Sequence, residues 1–228
     1  MQIVYEDAYL LIINKDSNLL VHHSHYARNI KEDSLVEQVE KMHSKVYPLH
    51  RLDRKTSGLI MCAKKKENVA VFQHLFQTNE IIKKYIALLR GHTPLEGSID
   101  TPVKNDRGTY KDAFTHFKLV KHIVLPISVD PYPSSRYSIV EFTPSTGRMH
   151  QLRIHANKMS HPIIGDPKHG NRHHNHMFIN HFGIDTLFLH AHHLSFKHPF
   201  TKEQITINVP APQFWAYFLE QESFSSVF

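Results

Sequence analysis

The chain has one cysteine and one tryptophan in 228 residues, and only eight glycines. With Cys62 alone no intrachain disulfide can form. Its place in the apolar run Leu59-Ile60-Met61-Cys62-Ala63 suits a buried thiol better than a nucleophile. No apolar run approaches the roughly 18 residues needed to cross a bilayer, and the opening Met1-Gln2-Ile3-Val4-Tyr5-Glu6-Asp7 has no basic leader. These absences lead to the expectation of a cytoplasmic protein with no membrane partner. Acidic residues are also in deficit, 21 against 27 Lys and Arg, which leaves a formal charge of +6. Such a surface suits a polyanion, although ordinary surface charge is an equal reading.

Histidine is what the chain has in excess, with 21 residues. A fall in pH toward the imidazole value near 6.5 adds positive charge, so affinity for a polyanion is expected to rise in mild acid. Three groups, His22-His23-Ser24-His25, His173-His174-Asn175-His176 and His190-Ala191-His192-His193, raise the reading of a zinc-dependent hydrolase or nuclease. Against it, there is no His-Glu-x-x-His helix and no Cys-x-x-Cys pair, and carboxylates are sparse beside the groups. No metal is therefore expected.

Apolar spacing predicts an opening hairpin over residues 3–5 and 10–14, and further strands over 58–63, 84–89, 113–120, 137–142, 187–196 and 204–209. Helices are expected at 34–44, where Ser34 and Glu37 have capping-box spacing, and from Val69 through Phe72, Leu75 and Phe76. Two more are expected at 148–158 and 213–219. Segments 126–135 and 165–183, rich in proline and in Gly, Asn and His respectively, are expected to be irregular. Strands in runs with few helices between them argue for an α+β domain on a mixed, largely antiparallel sheet with flanking helices. The length suits one domain over 1–220 with a tail at 221–228.

Chemistry concentrates in His50-Arg51-Leu52-Asp53-Arg54-Lys55-Thr56-Ser57-Gly58, which ends where a buried strand begins. Either flanking arginine would keep Asp53 ionised as a nucleophile or base, and Thr56, Ser57 and Gly58 would supply donors to hold it. From charge alone, a surface ion-pair cluster is an alternative. A second group is Thr146-Gly147-Arg148-Met149-His150-Gln151-Leu152-Arg153-Ile154-His155. Helical spacing puts Arg153 beside Leu152 at the core boundary, where an arginine needs a carboxylate partner. A solvated helix face is the milder reading.

Taken in order, these two groups, with Lys84-Tyr85 between them and His161-Pro162-Ile163-Ile164-Gly165-Asp166 after them, resemble RluA-type RNA pseudouridine synthases from about Ile3 to Val209. One departure is Asn14-Lys15-Asp16-Ser17-Asn18, where the family usually has an Asn-Lys-Pro-x-Gly turn. The resemblance implies a catalytic Asp53 that attacks a flipped uridine at the ribose C1′ or at C6 of the base. It also implies Tyr85 stacking on the base, Arg153 paired with Asp53, and Leu152 against the base from another side. Neither metal nor organic cofactor is implied. His50 or Arg51 would fill the space left by the flipped base. Arg148, Lys168, Lys83, Lys84 and residues 64–66 are candidate phosphate contacts.

The RNA partner is expected to be a transfer RNA, modified near the acceptor stem, because Gly165-Asp166-Pro167-Lys168-His169-Gly170 with Asn175 resembles the members acting there. Ribosomal RNA and a binding module without turnover are the other readings. A monomer with no obligate protein partner is expected.

Overall fold

The computed structural model describes residues 1–23, 31–105 and 107–220. Part of the His22–His25 group and the expected tail at 221–228 lie outside the described residues. In chain order the strands are β1 (Gln2–Glu6), β2 (Leu10–Lys15), β3 (Tyr47–Pro48), β4 (Ser57–Ala63), β5 (Ile82–Arg90), β6 (Glu96–Asp100), β7 (Val103–Lys104), β8 (Tyr110–Lys111), β9 (Phe114–Leu125), β10 (Ser135–Pro144), β11 (Leu189–Lys197) and β12 (Gln204–Asn208). The helices are α1 (Leu35–Glu40), α2 (Val69–Gln77), α3 (Gln151–Lys158), α4 (Arg172–Phe182) and α5 (Ala216–Glu220). This is the α+β class with a largely antiparallel sheet. The chain forms two compact units, one of residues 1–83 with 191–210, the other of 84–190 with the residues from 211.

In the first unit Asp7 makes the opening hairpin: its Oδ1 accepts from the amides of Tyr9 and Leu10 at 2.7 and 2.8 Å. Strand β2 pairs antiparallel with β4, placing Lys15 opposite Gly58. Every residue of β4 is buried, which is why its sequence is a continuous apolar run and does not alternate. Cys62 is fully buried there, and burial pushes its thiol up to about 12. Leu10, Ile12, Leu59 and Met61 pack with Phe72 and Leu75 of α2 and Leu194 and Phe196 of β11. Helix α1 starts at the expected capping box, with Ser34 Oγ accepting from the Glu37 amide and Glu37 from the Ser34 amide.

The second unit is built on antiparallel pairings of β5 with β10, β10 with β9 and β9 with β6. Its core joins Tyr137 and Phe142 of β10 to Phe178 of α4, Phe188, Trp215 and Phe218. Segment 165–183 departs from expectation, because residues 172–182 form α4. Four of its eleven residues are polar histidine or asparagine in the first turns, which hides the helical period. Its stops were visible: the Asn171 side chain accepts from the His174 amide, and Gly183 closes the helix with φ +67°. The short strands β6, β7 and β8 were also unanticipated.

Helix α3 begins at Gln151 and not at Arg148, because the Gln151 side chain occupies the preceding turn. Its Oε1 accepts from Thr146 Oγ1 and the Arg148 amide, and its Nε2 donates to Phe114 O and Thr115 Oγ1.

Gly58 enters β4 with φ +109°, and a Cβ there would lie 2.3 Å from the Ala191 carbonyl oxygen. Both the dihedral and the approach exclude a side chain. Gly58→Ala is expected to lower the unfolding free energy by about 3 kcal/mol or more, read from urea denaturation.

Candidate active site

In the first unit the loop carrying Asp53 is tied down from both sides. The Thr56 amide donates to the Asp53 carbonyl at 3.0 Å, closing the turn that leads into β4. On the other side stands the segment after β2. Lys15 Nζ donates to the carbonyls of Asp16 (2.9 Å), Leu19 (2.8 Å) and Arg54 (3.1 Å). Ser17 Oγ donates to the Lys55 carbonyl at 2.7 Å, and Arg54 Nε to the Asn18 carbonyl at 3.0 Å. The departure from the family's turn is therefore accommodated. Asn18 has φ +63°, the left-handed conformation that the usual glycine would supply and that asparagine tolerates. The sign of a role for Lys15 in the sequence is a lysine ending an apolar strand.

Lys15 is 1% exposed, with three carbonyl oxygens matching the three donors of an ammonium. Burial pulls its pKa down to about 7, against Asp16 and Asp53, whose charges favour the ammonium. His50 has a holding role as well: its Nε2 accepts from the Met61 amide at 3.0 Å, and its ring lies 5.0 Å from that of Phe76. Burial, with the Lys83 charge second, lowers its pKa to about 3. Arg51 is exposed and Asp53 half-buried.

In the second unit Arg153 is buried on α3, and the carboxylate partner that its position called for is Asp166. Arg153 Nε donates to Oδ2 at 2.7 Å and Nη2 to Oδ1 at 2.8 Å. In the sequence Asp166 stands within the His161–Asp166 motif with nothing to mark it as the partner of Arg153. Tyr85 is half-buried on β5 opposite Phe142, packed at the margin of the second core, and Leu152 is a member of that core. Arg148 and Lys168 are exposed, with Arg148 Nε on the Asp112 carbonyl and the Lys168 amide on Asp166 Oδ1. Lys84 Nζ meets Glu141 at 2.9 Å.

Several histidines serve the fold. His155 bonds Thr115 Oγ1 and the Thr101 carbonyl, and His174 Nδ1 lies 2.8 Å from the Tyr137 hydroxyl. Burial lowers the pKa of both, of His50, and of His92, which stacks on His122. For these four, burial works against the gain of charge in mild acid that composition suggested. Among the described residues no group of three or more His, Cys, Asp or Glu is placed to hold a metal ion.

The low values of His50 and Lys15 set the sign of a pH effect. His50 takes up a proton near 6.5 when unfolded but only near 3 when folded, so stability falls as pH drops through that window. Lys15 keeps its proton to about 10.4 when unfolded but to about 7 when folded, so stability rises from pH 7 toward 10. The urea midpoint is expected to increase with pH across both windows. His50→Gln flattens the acid part and Lys15→Met the alkaline part. Lys15→Met also costs about 2–4 kcal/mol at pH 7, because three carbonyls lose a charged donor.

The sequence model of a family described as RNA pseudouridylate synthase matches residues 9–158. The tRNA pseudouridine synthase C of Pasteurella multocida is 36% identical over 226 residues, covering 94% of this chain and 93% of that one. The protein of the same name from Haemophilus influenzae is 34% identical over 238 residues, covering 100% of both. Human RNA pseudouridylate synthase domain containing 1 shares the fold, with a TM-score of 0.73 at 24% identity over 92% of this chain and 83% of its own. Human RNA pseudouridylate synthase domain containing 4 gives 0.71, also at 24% identity, over 96% and 92%. With its motifs in order and relatives of this identity over nearly its whole length, the chain belongs to the RluA-type RNA pseudouridylate synthase family.

Proposed function

We propose that this enzyme converts one uridine near the acceptor stem of a transfer RNA to pseudouridine, with Asp53 as nucleophile. The observation that carries the choice of Asp53 is the restraint of its loop. A half-buried carboxylate sits in a turn whose backbone is fastened by Thr56 and by Lys15 through the neighbouring Arg54 carbonyl. A nucleophile held this way reaches its target with little entropy left to lose. Transfer RNA is favoured over ribosomal RNA by the relatives named tRNA pseudouridine synthase C.

The reaction breaks the bond from N1 to C1′ and forms one from C5 to C1′; the C5 proton leaves to solvent and N1 gains one. Atoms and electrons balance without a redox partner, so the residues need supply only a nucleophile, orientation and proton handling. Asp53 attacks C1′ or C6. Tyr85 stacks on the flipped base, and Arg153 serves Asp53 as counter-charge. With His50 committed to the Met61 amide, Arg51 is the better candidate for the space left by the base. Arg148, Lys168 and the lysines at 64–66 contribute phosphate contacts, and the enzyme acts as a monomer in the cytoplasm.

Asp53→Ala and Asp53→Asn are expected to reduce turnover by at least about 1000-fold while changing RNA affinity less than about threefold, since affinity is spread over many phosphates. Tritium release from bulk tRNA labelled at uridine C5, taken from cells lacking this protein, reads turnover; filter binding reads affinity. Turnover within tenfold of wild type in either variant removes Asp53 from the chemistry.

A further inference from the structure

A buried ion pair is a poor device for stability, because desolvation offsets most of the attraction; what it can supply is geometry. The pair between Arg153 and Asp166 is of this kind. Arg153 is 6% exposed and Asp166 1%. Two parallel bonds, from Nε to Oδ2 and from Nη2 to Oδ1, fix the guanidinium plane as a single bond would not. Burial would raise the Asp166 pKa, but bonds and charge from Arg153, with the amides of His169 and Lys168, outweigh it and keep the carboxyl anionic.

The carboxylate is itself immobile. Its Oδ1 accepts from the amides of Lys168 and His169 at 2.9 and 3.0 Å. The Asp166 carbonyl accepts from the Gly170 amide at 3.1 Å and from Asn175 Nδ2 at 2.9 Å, while Asn175 Oδ1 accepts from the Gly165 amide at 2.9 Å. Glycine is needed at both ends of this turn. A Cβ on Gly165, at φ +76°, would lie 2.0 Å from the Thr186 carbonyl oxygen, and one on Gly170 would lie 2.2 Å from that of Asp166. Asn175 ties the turn to α4, so this helix holds it in place.

We propose that Asp166 is a positioning residue for Arg153, holding its guanidinium at a fixed plane and place so that it serves Asp53 as a rigid counter-charge. This rests on the roles given to Asp53 and Arg153 above. Asp166 touches no reacting atom; it acts through the arginine.

Asp166→Asn separates this role from folding. The asparagine keeps Oδ1 for the two turn amides but turns an Nδ2 donor toward Arg153 Nε. Measured by tritium release from the labelled tRNA, kcat is expected to fall about 100-fold with KM within about twofold, as for a misplaced catalytic neighbour. Asp166→Glu is expected to recover part of that loss. Arg153→Gln orphans the Asp166 charge, and the melting temperature should drop by roughly 10 °C. Adding Asp166→Asn to Arg153→Gln should restore most of that loss of melting temperature and leave kcat where Arg153→Gln put it, because the two residues act as one unit.

If Asp166→Asn keeps wild-type kcat, or if its effect on kcat multiplies that of Arg153→Gln, the positioning role is overturned. Should Asp166→Asn alone fail to fold, the comparison of Arg153→Gln with the double variant still decides: no recovery of melting temperature counts against it. Asp53→Asn run beside these keeps the two readings apart. Its turnover would refute the nucleophile, whereas an inactive Asp53→Asn with an unimpaired Asp166→Asn refutes only the positioning role.

Discussion

The ammonium of Lys15, buried and shared among three carbonyls, is the interaction on which the loop carrying Asp53 depends. A carboxylate proposed to meet substrate cannot be held by packing its own side chain, since contacts that fix it would also cover it. The restraint has to come through the backbone. Lys15 provides it by gripping the Arg54 carbonyl from the end of β2, and Ser17 and Asn18 extend the grip to Lys55 and the Arg54 side chain. His50 pins the near side to β4, and Gly58 lets β4 pass against the Ala191 backbone. The cost is a lysine whose charge opposes its surroundings, which is why its pKa falls so far.

The second unit solves the matching problem for a cation. Arg153 on α3 is oriented by a carboxylate in a turn that glycines at both ends make possible and α4 secures. In each unit a buried charge does the holding: Lys15 through the backbone beside Asp53, and Asp166 directly on Arg153. Local rigidity at a reacting group lowers the entropy still to be lost when substrate binds.

Much of this was legible in the residues. The hairpin, the capping box at Ser34 and the buried strand at β4 follow from turn chemistry and apolar spacing, and those elements start where the spacing put them, although α1 ends at Glu40, short of the expected residue 44. Motif order identified the family. What escaped were features set by tertiary contact. Helix α4 was obscured by His and Asn in its first turns, and its two apolar anchors, Met177 and Phe178, form too short a signal to declare a period. The Gln151 side chain moved the start of α3 by capping from within. Lys15 and Asp166 gave no sign in composition, because the value of a buried charge lies in what surrounds it. Histidine was legible only in part: a count of 21 suggested a pH-sensitive surface, but burial lowers the pKa of His50, His92, His155 and His174.

The most direct test of the central claim maps pseudouridine by carbodiimide labelling in total RNA from cells lacking this protein, after incubation with wild-type enzyme or with Asp53→Asn, with chelator present throughout. One new labelled uridine near the acceptor stem of a transfer RNA, produced by wild type and absent with Asp53→Asn, is the result predicted. The same signal from both proteins, or no signal from either, would contradict it.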